Sequence, residues 1–369
     1  MNGNIALSKN IGLLVETLNA SHHGLQTYTF NLISHFPNLP TISLINNKPA
    51  DTGFPFQTIL LKSKFPIFKT YSFVIRAGIA KINIDIVHNL SGRPMIAKRK
   101  GRKIVTTVHD LTFYKVPESH PFIRRTLYTL LYPRTLQISD KIITDSESTK
   151  KDLLELFPFL SPSIITVIPL GVDHSQFNPM AASGQIKRKY ELNSFILSVG
   201  NLEPRKNYCR LISAFSQIAA QIPHDLVIVG HQGWDYGPVY ELLNRLKLGK
   251  RIRILDHVDN PELPALYNAA DLFVYPSLYE GFGLPVLEAM ACGCPVITSN
   301  VSSLPEVTGD AGLLIDPYSI DEIKCAILSM LQNEDLRKSY RKKGIDRARS
   351  FSWKTCAEKT IQVYRELGA

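Results

Sequence analysis

Three groups of charged side chains stand where short apolar runs end. Arg205 and Lys206 are adjacent and follow the run FILSVG, in a turn that feeds the helix-like CRLISAFSQIA. At the carboxyl ends of parallel strands, helix N-termini offer free N–H groups to anions. Two fixed cations there suit a diphosphate, with Arg as a planar fork and Lys as a point charge. The alternative is an ordinary solvated pair. Glu280 and Glu288 lie after the run DLFVYPS, within LYEGFGLPVLEAMA. Gly281 and Gly283 permit a tight turn, and Pro285 suits the first residue of a helix. One carboxylate then reaches sugar hydroxyls and the other ribose hydroxyls, as acidic residues do in dinucleotide sites. Glu288 taken singly is equally a first-turn residue favoured by the helix dipole. His109 and Asp110 end the run KIVTTVHD, a place open to substrate contact or to a satisfied structural histidine.

These positions need elements to hold them. Runs of the first half are GLLVET, TISLI, QTILL, IDIVHNL, KIVTTVHD, KIITDS and SIITVIPLG; the second half has FILSVGN, DLVIVG, RIRIL, DLFVYPS, CPVITS and GLLID. Continuous apolar strands separated by helix-sized segments mark parallel sheets covered on both faces. Two such series imply an α/β protein of two doubly wound domains. The expected boundaries are 1–172 for the first domain, 173–192 for a linker of polar composition, 193–350 for the second, and 351–369 for a closing amphipathic helix packed back toward the first.

Composition narrows the class. No run reaches 18 apolar residues, and the apolar run after the largely polar first ten is short and breaks at Glu16, so neither a spanning helix nor a signal peptide is expected. Five cysteines without a CxxC pair argue against a disulfide framework and against zinc, and fit a reducing, cytoplasmic setting. Residues 1–175 carry 20 Lys+Arg against 11 Asp+Glu and the rest 22 against 21, so nearly all of the net +10 lies in the first half. That is either a solvated face or a surface for an anionic membrane, an anionic acceptor or nucleic acid. No nucleic-acid recognition motif is present. Lys98 to Lys103 and the aromatic-basic stretch Lys62 to Arg76 are the candidates for peripheral membrane contact.

The Arg205-Lys206 pair, the Glu280–Glu288 pair and AMACGCPVITSNVSSLPEVTGDAGLLIDP closely resemble retaining glycosyltransferases of family four (glycosyl transferases group 1). The resemblance implies the GT-B architecture, two Rossmann-like domains facing across a cleft. It implies that Arg205 and Lys206 hold the diphosphate of a nucleotide-sugar donor, that Glu280 meets the sugar and Glu288 the ribose. Phe282, Gly283 and Leu284 would lend backbone N–H groups, with Gly200 and Asn201 beside them at the strand exit. His109 would lie near the donor sugar with Asp110, and Gly24 in the loop after the first strand, where this chain has one glycine in NASHHG. The implied reaction moves a hexose, UDP-glucose-like before GDP-mannose, to a saccharide or lipid-linked acceptor. No Asp-x-Asp is present, so no metal or other cofactor is expected, and Asp145-Ser146-Glu147 reads as a helix cap. An epimerase or hydrolase of the same fold, or a nucleic-acid or anionic-lipid binding protein, is the alternative.

Overall fold

The computed structural model describes residues 7–15, 24–46, 53–61, 69–180, 184–256, 258–259 and 261–369, with the side chains of 69–73 excepted. By packing, the chain divides into two compact units. Residues 1–114, 122–171 and 353–369 form the first, and residues 115–121 and 172–352 the second.

In the first unit, β1 (Ile11–Leu14), β2 (Ile42–Asn46), β3 (Gln57–Leu60), β4 (Ile86–Asn89), β5 (Lys103–Val108), β6 (Lys141–Thr144) and β7 (Ile165–Val167) build a parallel sheet ordered β3-β2-β1-β4-β5-β6-β7. In the second, β8 (Phe195–Val199), β9 (Asp225–Val229), β10 (Ile252–Leu255), β11 (Leu272–Tyr275), β12 (Val296–Ser299) and β13 (Leu313–Ile315) are ordered β10-β9-β8-β11-β12-β13. Every pairing is parallel. Each order reverses beside its first strand, between β1 and β4 and between β8 and β11. Chains leave such a switch point in opposite directions and open a crevice beyond the strand ends.

The inner strands form because both of their faces are covered, whereas the edge strand β3 has no buried residue. β1, β4, β11 and β12 are buried throughout. The helix Tyr208–Ile218 shows the matching pattern: Leu211, Ile212 and Phe215 share one face and pack with Ile196, Leu226 and Ile228 of the sheet. Each such side chain contributes roughly 1.5–3 kcal/mol on leaving water. Both units also use an arginine to gather backbone carbonyls at and just beyond the end of a helix. Arg102 is buried and donates to the carbonyls of Ala77, Gly78, Ile82 and Ile84. Arg251 donates to those of Ala219, Ile222 and His224 and pairs with Asp225 at 2.9 Å.

Two stretches differ from their composition. Residues 173–192, polar enough to suggest a linker, group with the second unit and carry the helix Gly184–Lys189, which rests on the helix Leu263–Ala269. Residues 115–121 group with the second unit although their neighbours do not, and the 3₁₀ turn Pro117–Ser119 packs on the turn Pro204–Lys206. The helix Trp353–Glu366 belongs to the first unit, where the Tyr364 hydroxyl meets His88 at 2.6 Å. The basic run 98–103 is partly spent inside the fold: Arg102 points inward, while Lys98 and Lys103 share Asp140 at 2.8 and 3.1 Å. Lys62, Lys64, Phe65 and Phe68 lie outside the described residues. Among the described residues no helix is long and apolar enough to cross a membrane.

Candidate functional site

At the β8/β11 switch point the two strand exits are stitched together. Gly200 leaves β8 with φ +149°, and a Cβ there would press on Lys206 Cε and the Tyr208 hydroxyl at 3.3 Å. The chain passes Asn201 and makes the turn Pro204–Lys206, closed by left-handed Asn207 (φ 62°). Asn207 donates from Nδ2 to the carbonyls of Pro276 (3.0 Å) and Pro317 (2.7 Å), tying this loop to the exits of β11 and β13. Leu278 N–H donates to the Arg205 carbonyl at 2.8 Å.

These ties bring Arg205, Lys206 and Glu280 into one buried cluster. A single carboxylate oxygen, Glu280 Oε1, receives Lys206 Nζ at 2.6 Å and Arg205 Nη1 at 2.7 Å. The Ser277 and Tyr275 hydroxyls reach the same oxygen at 2.7 and 2.8 Å, and Lys206 also donates to the Tyr275 hydroxyl. Arg205 Nε meets Glu203 at 3.2 Å. Burial favours the neutral acid, but the charges of Arg205 and Lys206 outweigh it and hold Glu280 below the usual carboxylate range. Burial, then the neighbouring Arg205, draws Lys206 downward. The loop then turns on Ser302 and Ser303: Glu280 N–H donates to Ser302 Oγ at 3.0 Å, and Ser303 Oγ donates to the Glu280 and Phe282 carbonyls at 2.9 and 2.8 Å.

Gly283 (φ +108°) caps the helix Leu284–Ala291, with Pro285 as its second rather than its first residue. Phe282 is buried edge-on against Phe351 at 5.8 Å. Glu288 stands apart from the cluster and accepts from the Tyr267 hydroxyl at 3.1 Å. Burial pushes its carboxyl up to about 7, against the Tyr267 hydrogen bond, which lowers it.

The first unit places His109 directly after β5. Its Nδ1 lies 2.7 Å from Asp145 Oδ2 and its Nε2 2.8 Å from the Leu90 carbonyl. Burial opposes the protonated ring, yet the Asp145 carboxylate and the Leu90 carbonyl raise its affinity for the second proton. Asp110 turns its carboxylate onto Thr112, accepting from N–H at 3.0 Å and Oγ1 at 2.7 Å. Gly24 opens the helix Gly24–Ser34, where an added Cβ would meet nothing within 4 Å among the described residues, and residues 19–23 lie outside them.

Sequence reasoning found the exits but missed several partners. Tyr275 and Ser277 sit inside and just after an apolar strand, so their hydroxyls read as filler. Within Asp145-Ser146-Glu147 the cap is Ser146, which accepts from Thr149 N–H at 3.1 Å, whereas Asp145 serves His109. The available signal was that Asp145, like His109, stands first after a buried strand.

The Glycosyl transferases group 1 model matches residues 182–347 and the Glycosyltransferase Family 4 model residues 23–176. O-antigen chain mannosyltransferase B of Escherichia coli is 37% identical over 270 residues, 72% of this chain and 71% of that protein. MMP alpha-(1->4)-mannosyltransferase of Mycolicibacterium hassiacum is 28% identical over 324 residues, 82% of this chain and 76% of that one. Among solved structures, sucrose-phosphate synthase from Thermosynechococcus elongatus superimposes with a TM-score of 0.77 at 24% identity, over 97% of this chain and 99% of that one. The strand orders, the switch-point cluster and these matches agree: the chain belongs to the family-four, group 1 glycosyltransferases of GT-B fold.

Proposed function

We propose that this glycosyltransferase moves mannose from a nucleotide-diphosphate donor to a saccharide or lipid-linked saccharide acceptor in glycan synthesis, with retention of configuration and without a metal ion. The observation carrying the reading is the Arg205–Lys206–Glu280 cluster at the β8/β11 switch point. Cations fixed there before the reaction lower the barrier as negative charge grows on the departing diphosphate, with no reorganisation needed. The bond from the anomeric carbon to the diphosphate breaks and the bond to the acceptor oxygen forms on the same face. The acceptor's proton passes to the departing phosphate oxygen. Glu280, locked at Oε1, orients the sugar through its other oxygen and is not a covalent nucleophile. A retaining two-carboxylate mechanism needs carboxyl groups about 5 Å apart, and Glu280 is already bound by two cations.

The sequence alone ranks UDP-hexose before GDP-mannose. Two relatives named mannosyltransferases reverse that order. The test is product analysis with GDP-mannose and UDP-glucose, each with and without a mannoside acceptor, and in excess EDTA. Transfer from GDP-mannose that survives EDTA is expected. Loss in EDTA restored by Mn²⁺ would overturn metal independence, sugar release without an acceptor would mark a hydrolase, and transfer from UDP-glucose alone would restore the original order.

A further inference from the structure

Two buried histidines of the first unit differ in the kind of atom they face. His88, on β4, has Nδ1 2.6 Å from the Tyr364 hydroxyl and Nε2 2.8 Å from the Thr107 hydroxyl. Hydroxyls donate or accept, so a neutral ring satisfies both. Burial, then the charge of His109, holds His88 down at about 3. His109 has no such freedom. Its partners are a carboxylate at 2.7 Å and a backbone carbonyl at 2.8 Å, and a carbonyl only accepts. A neutral imidazole has one N–H, so beside an ionised Asp145 one ring nitrogen would set its lone pair against an oxygen.

We propose that Asp145 is a positioning residue that fixes His109 as an imidazolium, so that the ring supplies a constant positive charge at the β5 exit and exchanges no proton during the reaction. The use of that charge in the reaction rests on the glycosyl-transfer reading; its existence does not. The pairing of Val108 with Thr144 across β5 and β6 sets residues 109 and 145 side by side. Asp145 is buried, and its other oxygen, Oδ1, has no hydrogen-bond partner among the described residues. Burial pushes the Asp145 carboxyl up, and the charge and hydrogen bond of His109 pull it back, so His109 is its means of staying ionised. Among the described residues, the remaining titratable or charged groups around the pair are Asp110 next in the chain, Tyr28 from the helix Gly24–Ser34, His88 from β4 and Cys356 from the helix Trp353–Glu366. Tyr28 places its ring 4.6 Å from the imidazole, within reach for attraction to a cation. Asp110 adds negative charge, and His88 is neutral.

The experiment follows the ring nitrogens by NMR in protein labelled with ¹⁵N-histidine, with His109 assigned through His109→Gln. Both His109 nitrogens should show the imidazolium signature unchanged from pH 6 to pH 8.5. Asp145→Asn keeps the shape and removes the charge, so the His109 midpoint should fall by about one unit or more into the measured range. Turnover should fall on the order of tenfold with little change in donor KM, and its pH profile should gain the same midpoint. Asp145→Glu should restore the imidazolium signature in part. A wild-type His109 that titrates anywhere between pH 6 and pH 8.5, or a neutral tautomer, overturns the proposal, as does an Asp145→Asn protein whose His109 titration is unmoved. Failure of every sugar donor in the transfer assay would instead overturn the functional reading and leave the nitrogen spectra to stand.

Discussion

Glu280 concentrates four hydrogen-bonding partners on one oxygen, and the consequence differs for its two cations. The Arg205 side chain is 19% exposed and that of Lys206 8%. Arg205→Ala leaves Lys206, Tyr275 and Ser277 on the carboxylate, so the fold should survive while turnover falls about 100-fold. Lys206→Ala removes the more deeply buried partner and should cost stability as well, about 3 kcal/mol. Turnover and urea unfolding of both variants check this; near-normal turnover in both would remove the diphosphate assignment. Glu288 makes a separate prediction because its carboxyl lies at about 7, above its ordinary value near 4.5. An acid whose proton affinity rises on folding favours the folded state below its unfolded pKa and loses that contribution as pH climbs through the folded one. Glu288→Gln should therefore gain stability over the parent between pH 5 and pH 8.5, by on the order of 2 kcal/mol. If Glu288 grips the ribose as the resemblance implies, donor KM in the parent should rise as pH drops below 7, where its carboxyl is protonated. A stability difference that stays flat with pH would show that the buried carboxyl is solvated.

Strands and their exits were legible because a parallel strand covered on both faces must be an unbroken apolar run, and each of the thirteen runs holds a strand. Which exits adjoin was not legible, since nothing local to KIVTTVHD or KIITDS says that β5 and β6 pair in the register that joins His109 to Asp145. The same limit hid Tyr275, whose hydroxyl matters only because β8 and β11 are neighbours. Residues 173–192 misled for the opposite reason: a short helix with one buried residue, Ile186, is mostly polar. The Gly283 turn was legible as a turn, and the structure adds its constraint. A Cβ there would stand 2.7 Å from Leu304 Cδ2, on a backbone that L side chains rarely adopt. Gly283→Ala should cost about 1–3 kcal/mol and weaken donor binding, because the loop it closes also holds Glu280. Thermal unfolding and donor titration measure the two effects. An alanine variant of parental stability would mean that the loop tolerates another path.

At the scale of the molecule, the positive charge of residues 1–175 is less available than its count suggests, given the inward Arg102 and the shared Asp140. Arg99 and Lys100 remain exposed, and each basic residue near an anionic bilayer adds about 1 kcal/mol. Sedimentation with anionic vesicles should recover more protein than with neutral ones at low salt, and the difference should vanish at high salt as screening shortens the attraction. Equal recovery would mark the charge as a solvated face. The placement of the helix Trp353–Glu366 reaches further, into the order of events on the ribosome. It lies in the first unit, against Tyr28 through Trp353 and against His88 through Tyr364, yet its codons follow those of the whole second unit. At 5–20 residues per second, translating residues 172–352 takes roughly 10–40 s. Throughout that interval the first sheet has emerged without the helix that covers His88. The second unit, contiguous except for 115–121, can close before the first does, so the half translated earlier is the half completed later.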